Sequence, residues 1–321
     1  MNRKTTLLLA LVLVLMLPLA LRSGSLASEV LIYALAALAC NLLLGYTGLL
    51  SFGQGIFFGL GSYTVALLLT RLALPTPLAL AGAIAVGAAG AALVGAMAIR
   101  QRGAYFVMLT LAAAQMFYFI AYTATGLTGG DNGLLDIPRP ASMDTPWKYY
   151  AFVAVIFMVV FWLLLRVTDS LFGRTLLAIR DNEARATALG YDIKRFKLQV
   201  FVISGAITGL AGGLHAMMTG IAPLSNMEYH TSEMILVITV IGGTGNLLAS
   251  VLGAAFYILL ADWLSTLWPR WLLLLGVLLI VVSTGMQRGL WGLCEAVVSR
   301  AARLIRRRPA GTAIDADGGS T

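Results

Sequence analysis

Long apolar runs without a single charge alternate along this chain with short stretches that hold the ionisable residues. The charge-free runs, one of which contains a histidine, cover residues 5–21, 30–70, 72–99, 103–130, 149–165, 198–227, 234–261 and 271–287. A helix needs about 20 residues to cross a bilayer core of about 30 Å. Because lipid offers the backbone no hydrogen-bond partner, helices are the expected spans. The runs also lack the apolar–polar alternation of a membrane β-barrel.

The runs predict an all-α, polytopic transmembrane helical bundle of about ten spans, with eight to ten as the range. The predicted spans lie near residues 7–21, 30–45, 54–70, 78–98, 104–122, 149–166, 199–219, 233–248, 249–268 and 271–286. The spans near 233–248 and 249–268 are short, so a re-entrant pair is an alternative there. The first span, which follows Arg3 and Lys4, also resembles a signal peptide, but in a chain this hydrophobic we expect it to be retained.

Basic residues are unevenly divided between the two ends of the predicted spans. With the N-terminus in the cytoplasm, 17 of the 22 Lys and Arg residues lie inside and 5 lie outside, as the positive-inside rule requires. Both termini are therefore expected to be cytoplasmic. We expect one transmembrane domain over residues 1–290, followed by a basic and then disordered cytoplasmic tail over 291–321.

Composition narrows the class of protein further. Hydrophobic residues make up 60% of the chain and charged residues 11%, whereas soluble domains carry about 25% charged residues. A soluble enzyme, a disordered chain and, with two cysteines, a disulfide scaffold are thereby excluded. The net charge of +8 does not indicate nucleic-acid binding, because the surplus lies on the inner side, where anionic membrane lipid is the expected partner.

The outer connection over 123–148 is one of two long ones. It is rich in the glycine and asparagine of turns, and prolines prevent a helix from continuing through it. Either it is a solvated hairpin or it forms a docking surface and mouth for something that arrives from outside. The candidate mouth residues are Gly129, Gly130, Asn132 and Gly133.

The inner connection over 167–197 is the other long one. Its composition predicts a helix over 174–189 that stops at Gly190, with Asp192 capping the next helix. The apolar residues Leu176, Leu177 and Ile179 lie on this segment although it should face water. The segment is either an amphipathic helix on the lipid headgroups or a helix whose apolar residues fill a partner's groove. Interleaved acidic and basic residues favour the partner.

Glycine-rich breaks interrupt two of the long runs at corresponding cytoplasmic-side positions, with the shared pattern Gly-x-Thr-Gly-x-Leu. Such breaks indicate discontinuous helices around a transport path, although a tight loop explains either one alone. The helix-break candidates are Gly45, Gly242, Gly243 and Gly245. Polar uncharged residues nearby need partners or a cavity. The candidates for the translocation pathway are Asn41, Thr47, Gly48, Ser51, Gln54, Tyr63 and Gln115, with helix–helix hydrogen bonding as the alternative role.

Catalytic and metal-binding patterns are missing from the sequence. His215 is the one ionisable residue clearly in the middle of a span, and we expect it to be a hydrogen-bonded packing residue. No metal spacing and no catalytic residue is evident, and no lysine follows a glycine, so there is no P-loop for ATP. Without carboxylates in mid-membrane, an ion-driven carrier is disfavoured. A passive, ATPase-independent channel remains an alternative, whereas a membrane-embedded enzyme lacks a supporting constellation.

Five segments together resemble a known family. They are NLLLGYTGLLSFGQGIFFGLGSYT (41–64), GAYFVMLTLAAAQM (103–116), LTGGDNGL (127–134), FGRTLLAIRDNEARATALGYDIKRFKLQVFVISGAITGLAGGL (172–214) and VIGGTGNLLASVLGAAF (240–256). The chain resembles the LivM-type membrane permeases of branched-chain amino-acid ABC importers, most specifically over 173–190. It departs from the general importer pattern of Glu-Ala-Ala followed three residues later by Gly, because Arg185 follows Glu183-Ala184.

The resemblance implies an ABC-importer permease fold in the inner membrane of a bacterium or archaeon. The implied partners are a second permease subunit in a heterodimer, two cytoplasmic ATP-binding subunits and a periplasmic substrate-binding protein. ATP and Mg²⁺ would bind to the ATPase partners, so this chain needs no cofactor. The 127–134 loop would face the binding protein. The implied ATPase-coupling residues are Gly173, Arg174, Leu177, Arg180, Asp181, Asn182, Glu183 and Gly190.

Alternating access driven by the ATPase partners is the mechanism that the resemblance implies. Branched-chain amino acids are the expected substrates. Related permeases for urea, short amides or aromatic acids are the alternatives, because the binding protein is expected to set most of the choice.

Overall fold

Helices form almost all of the protein that the computed structural model describes, which is residues 3–21, 23–140, 143–267, 270, 273–277, 280 and 289–292. The described residues contain no β-strand, only one isolated bridge between Leu134 and Ala222. The predicted span at 271–286 falls largely outside the described residues. The predicted tail at 291–321 does so too, apart from its first two residues.

The α-helices succeed one another with short connections. In chain order they are α1 (Arg3–Ala20), α2 (Gly24–Thr47), α3 (Gln54–Thr70), α4 (Thr76–Ala98), α5 (Ala104–Thr123), α6 (Thr125–Thr128), α7 (Pro146–Asp169), α8 (Leu171–Asp181), α9 (Glu183–Ala188), α10 (Ile193–Thr219), α11 (Tyr229–Gly242) and α12 (Leu247–Leu267). Short 3₁₀-helices lie at Gly130–Asn132 and Leu224–Met227.

Six of these helices, α2, α4, α5, α7, α10 and α12, are long and apolar enough to cross a membrane. The helices α3 and α11 are apolar but shorter. The prediction of an all-α, multi-pass membrane bundle is therefore confirmed. The total of about ten spans and the cytoplasmic placement of both termini stay predictions.

Helix α2 forms the centre of the bundle. In the most apolar 18-residue stretch of α2, 89% of the residues are buried inside the protein, whereas the same share for α5 is 22%. It packs against α7, α10, α11 and α12. Ten of its 24 residues are glycine, alanine, serine or cysteine, and these small side chains let several neighbours surround it. A helix enclosed in this way can hold polar groups away from lipid.

Glycines allow α3, α4 and α10 to pack with their backbones in contact. A Cβ at Gly61 of α3 would collide with the carbonyl oxygen of Gly209 in α10, and a Cβ at Gly212 would collide with that of Phe58. Gly87 of α4 meets Gly205 in the same way. Glycine at these positions thus lets the three helices approach each other closely.

We expect Gly61→Ala to destabilise the protein, because its methyl group has no room against the α10 backbone. Overpacking of this kind costs about 1–3 kcal/mol, which would appear as a lower midpoint of thermal unfolding of the purified chain. The control is Ala85→Val, which adds apolar atoms to an exposed position of α4. Equal midpoints for the two variants would contradict the close packing.

Candidate functional site

The two Gly-x-Thr-Gly-x-Leu segments meet in the structure, although about 200 residues separate them in the chain. The link is the fully buried side chain of Asn41 in α2. Its Nδ2 donates to the carbonyl oxygen of Asn246 at 2.8 Å and to Oγ of Ser250 at 2.9 Å. Its Oδ1 accepts from the backbone N–H of Gly245 at 2.9 Å. One amide thus holds the break between α11 and α12 against α2. We call this contact the junction.

Gly45 is not a helix break, contrary to the prediction. It lies within α2, where a Cβ would collide with Oδ1 of Asn41 and the backbone nitrogen of Gly245. The chain leaves the helix only at Gly48, whose φ of 71° caps the C-terminus. Gly45 is therefore needed for close approach at the junction.

The second break also begins later than predicted. Gly242 is the last residue of α11, where it packs on the backbone of Ala249 in α12. The break itself runs from Gly243 to Asn246, and Gly243 and Gly245 have φ values of 113° and 91°. Asn246 and Ser250, which complete the junction, were not among the predicted site residues. Asn246 stands within the break, and that position is the signal that could have identified it.

Arg180 connects the segment over 167–197 to the junction. Its Nη1 donates to the carbonyl oxygen of Gly45, and the stem of its side chain lies close to Gly48. Its guanidinium also lies near the carboxylate of Asp181, at 3.8 Å. A charged donor on α8 therefore binds the backbone of α2 directly beside the break.

The segment over 167–197 contains two short helices, α8 and α9, not the single predicted helix over 174–189. Asn182 has an extended backbone between α8 and α9, and its Oδ1 caps α9 by accepting from the N–H of Arg185 at 2.9 Å. Asparagine favours such caps over helix interiors because its side chain binds the backbone. The other two predictions are confirmed. The chain turns at Gly190 with a φ of 88°, and Asp192 caps α10.

The three apolar residues of α8 that the sequence analysis singled out face the protein's own bundle. Leu176 and Ile179 are fully buried and Leu177 is half-buried against the core. Neither predicted role, filling a partner's groove or lying on headgroups, applies to Leu176 and Ile179. Gly173 lets α8 pack against the backbone of Thr168. The exposed residues of α8 are Leu171, Arg174, Ala178, Arg180 and Asp181.

A buried lysine anchors α9. Lys197 of α10 is only 5% exposed and forms an ion pair with Glu183. Arg102, in the turn before α5, approaches the same carboxylate at 3.7 Å. Lys197 and Arg102 were not predicted as site residues. The signal for Lys197 was a lysine one turn into a membrane helix, where a charge needs a partner.

Gln54 joins three helices. Its Nε2 donates to Oγ of Ser204 at 3.0 Å, and its Oε1 accepts from Oγ1 of Thr208 at 2.6 Å. Ser204 in turn donates to the carbonyl oxygen of Ala39 at 2.8 Å. Thr47 donates within its own helix to Leu43, at 2.6 Å. In the structure, Gln54 and Thr47 therefore have the alternative role of hydrogen bonding. Gln54 bonds between helices, and Thr47 bonds within its own helix.

The other candidate pathway residues fall in different surroundings. Ser51 is buried and accepts from the N–H of Gly53 at 3.1 Å. Tyr63 is 4% exposed, and its hydroxyl has no hydrogen-bond partner among the described residues. Gln115 is exposed on the outer face of α5. The structure therefore brings Asn41 and Gly48 to the junction but leaves Tyr63 and Gln115 elsewhere.

His215 packs as predicted but is not hydrogen-bonded as predicted. Its ring centroid lies 5.8 Å from that of Tyr33 and 5.4 Å from that of Phe58. Its Nδ1 is buried without a hydrogen-bond partner in the described part of the chain. Aromatic neighbours on both sides take the space that a polar partner would need.

The loop over 129–140 packs against the connection between α10 and α11. Leu134 and Ala222 exchange backbone hydrogen bonds of 3.1 and 2.8 Å. Gly133 fits where a Cβ would collide with the carbonyl oxygen of Ala222. Arg139 donates to the carbonyl oxygens of Met217 and Met218. Of the predicted mouth residues, Gly130 is buried, Gly129 is half-buried and Asn132 is exposed.

Comparison with known proteins identifies the family. A family model described as branched-chain amino acid transport system / permease component matches residues 24–283. The high-affinity branched-chain amino acid transport system permease protein LivM of Salmonella typhimurium is 32% identical over 298 residues, which cover 84% of this chain and 69% of the relative. No solved structure gives a significant match.

Importers named for other substrates match less of the chain. The autoinducer 2 import system permease protein LsrC of Klebsiella pneumoniae is 34% identical over 133 residues, 37% of this chain and 38% of its own. The ribose import permease protein RbsC of Escherichia coli is 27% identical over 190 residues, 55% of this chain and 57% of its own.

We expect Gly45→Ala to loosen the junction, because its methyl group would occupy the space between Asn41 and Gly245. A loss of about 2 kcal/mol in stability would appear as earlier thermal unfolding of the purified chain. The matched control is Gly126→Ala, where a Cβ meets nothing within 4 Å. The junction geometry would be wrong if Gly45→Ala unfolded at the same temperature as Gly126→Ala.

Proposed function

The chain belongs to the family of permease components of branched-chain amino acid transport systems, and we propose that it is the permease of an ATP-driven importer that carries branched-chain amino acids into the cytoplasm. It is a multi-pass protein of the inner membrane. The similarity to LivM over most of the chain supports the amino-acid substrate. The shorter matches to ribose and autoinducer 2 permeases support a role in import, but they do not point to one substrate.

The bond from Arg180 to the carbonyl oxygen of Gly45 is the observation that carries the proposal. It joins a cytoplasmic helix to the point where α2 and the break before α12 meet. A displacement of α8 would pull on the end of α2 and, through Asn41, on the break. Two ATP-binding subunits, which hold ATP and Mg²⁺, are the proposed source of that displacement. Alternating access is the proposed result.

The exposed face of α8 and α9 is the proposed ATPase docking surface. It combines the charged Arg174 and Asp181 with Leu171 and Leu189, whose relative exposures are 81% and 72%. Exposed large apolar side chains beside charged ones are typical of interaction surfaces. Because the buried face of α8 packs on the bundle, a partner that binds the exposed face and changes position would move the helix as a whole.

The ordered outer loop is the proposed contact for a periplasmic binding protein. Its backbone hydrogen bonds to Ala222 and the hydrogen bonds from Arg139 to the end of α10 hold it in place. A loop fixed in this way can transmit the docking of a partner to the membrane helices. Asn132, exposed at its tip, is a proposed contact residue.

A second permease subunit is proposed to pack on α5, giving a heterodimer. The exposed face of α5 carries large apolar side chains such as Met108, Met116 and Phe119, and Gln115 lies among them. Lipid would leave the amide of Gln115 without a partner. A second subunit, or a water-filled path between the two, would supply one.

We propose about ten spans with both termini in the cytoplasm. The basic residues divide 17 to 5 in favour of this orientation. The α3 and α11 helices would serve as shorter spans that end near the two breaks, where the connecting backbone is satisfied by protein.

We expect Arg180→Ala to reduce uptake of radiolabelled leucine by roughly tenfold when the permease is reconstituted with its ATPase and binding-protein partners. The lost bond from a charged donor contributes about 1.5–3 kcal/mol. ATP hydrolysis should fall less than uptake, because the docking surface remains. The control variant is Lys4→Gln, which removes an exposed charge at the start of α1.

An ATPase-independent channel gives the opposite outcome. Uptake would then survive both Arg180→Ala and an inactivated ATPase partner, and the importer proposal would fail. If the wild type took up ribose and not leucine, only the proposed substrate would be wrong.

A further inference from the structure

A polar cavity of about 480 Å³ lies at the cytoplasmic ends of α4 and α10, beside α9. Its charged lining residues are Arg100, Arg102, Glu183, Asp192, Lys194 and Lys197. The basic side chains outnumber the acidic ones by four to two. The cavity therefore has a positive potential that favours an anion.

The two carboxylates are already engaged by basic partners. Glu183 is paired with Lys197 and lies 3.7 Å from Arg102, and Asp192 is paired with Arg195 at 2.8 Å. Arg100 and Lys194 have no acidic group within ion-pair distance among the described residues. The surplus positive charge is thus carried by these two exposed side chains at the cavity's rim.

An apolar groove of about 390 Å³ lies between α4 and α5. Met97, at its cytoplasmic end, precedes Ile99 and Arg100 of the polar cavity by only two and three positions. Leu93, Leu109 and Phe117 continue the groove toward the middle of the membrane. A basic cavity at a helix end, followed by an apolar groove along the same helix, matches a molecule with an anionic head and a hydrocarbon chain.

We propose that the cavity binds the phosphate of an anionic phospholipid of the inner leaflet, with an acyl chain of that lipid in the groove between α4 and α5. The apolar groove distinguishes a lipid from free phosphate, which has nothing to place there. Phosphates prefer clusters of Arg and Lys at the membrane surface. The bound phosphate shares Arg102 and Lys197 with Glu183, and so lies directly against the segment proposed for ATPase coupling.

Native mass spectrometry of the purified full-length chain tests this site by titration with dioleoylphosphatidylglycerol and dioleoylphosphatidylcholine. The wild type should bind one phosphatidylglycerol in preference to phosphatidylcholine. The double variant Arg100→Gln/Lys194→Gln should bind it about tenfold more weakly or worse, since each basic residue contributes about 1 kcal/mol. The charge-conserving double variant Arg100→Lys/Lys194→Arg should bind phosphatidylglycerol about as tightly as the wild type. This result would show that the glutamine variant binds weakly because it lost charge and not because it misfolded.

The control for overall charge is the double variant Lys4→Gln/Arg185→Gln, which removes two exposed basic residues outside the cavity. Equal weakening in this variant, or no preference for phosphatidylglycerol in the wild type, would overturn the proposal. Glycerol phosphate, which has the head but no chain, should bind far more weakly than the lipid, and equal binding would assign the cavity to soluble anions. The result is independent of transport, so it stands or fails separately from the proposed function.

Discussion

The three hydrogen bonds of the Asn41 amide are the interaction on which the rest of the structure depends. A break between two membrane helices frees backbone groups that lipid cannot satisfy, and each buried unpaired group costs about 1–3 kcal/mol. Asn41 supplies partners for Gly245 and Asn246 from within the most buried helix of the bundle. The break before α12 can therefore exist in an apolar interior, and its position is fixed relative to α2.

The segment formed by α8 and α9 reaches this junction because the backbones there are close. Because Gly45 has no Cβ, Gly245 can approach it closely. The carbonyl oxygen of Gly45 accepts a hydrogen bond from Arg180. On the far side of the segment, Glu183 is held by a buried lysine at the start of α10. The segment thus rests on α2 through α8 and on α10 through α9. A force on its exposed face would be divided between the core helix and the packed group of α3, α4 and α10.

The sequence was sufficient for features that depend on local chemistry. Apolar runs predicted the helices, and glycines marked both breaks to within a few residues. Gly190 and Asp192 ended and began helices as expected. Features that depend on distant neighbours could not be predicted. The partners of Gln54 lie 150 residues or more away, and the burial of Ile179 requires the packed bundle. The cap at Asn182 is local, but it competes with an otherwise helical composition that favours one continuous helix.

The most direct test of the account is a distance measured by pulsed electron paramagnetic resonance between spin labels at Thr244, in the break, and Met97, near the C-terminal end of α4. Both positions are exposed. In the assembled transporter, trapping of nucleotide on the ATPase partners should change this distance, and Arg180→Ala should abolish the change. An unchanged distance in the presence of Arg180 would contradict coupling through the junction.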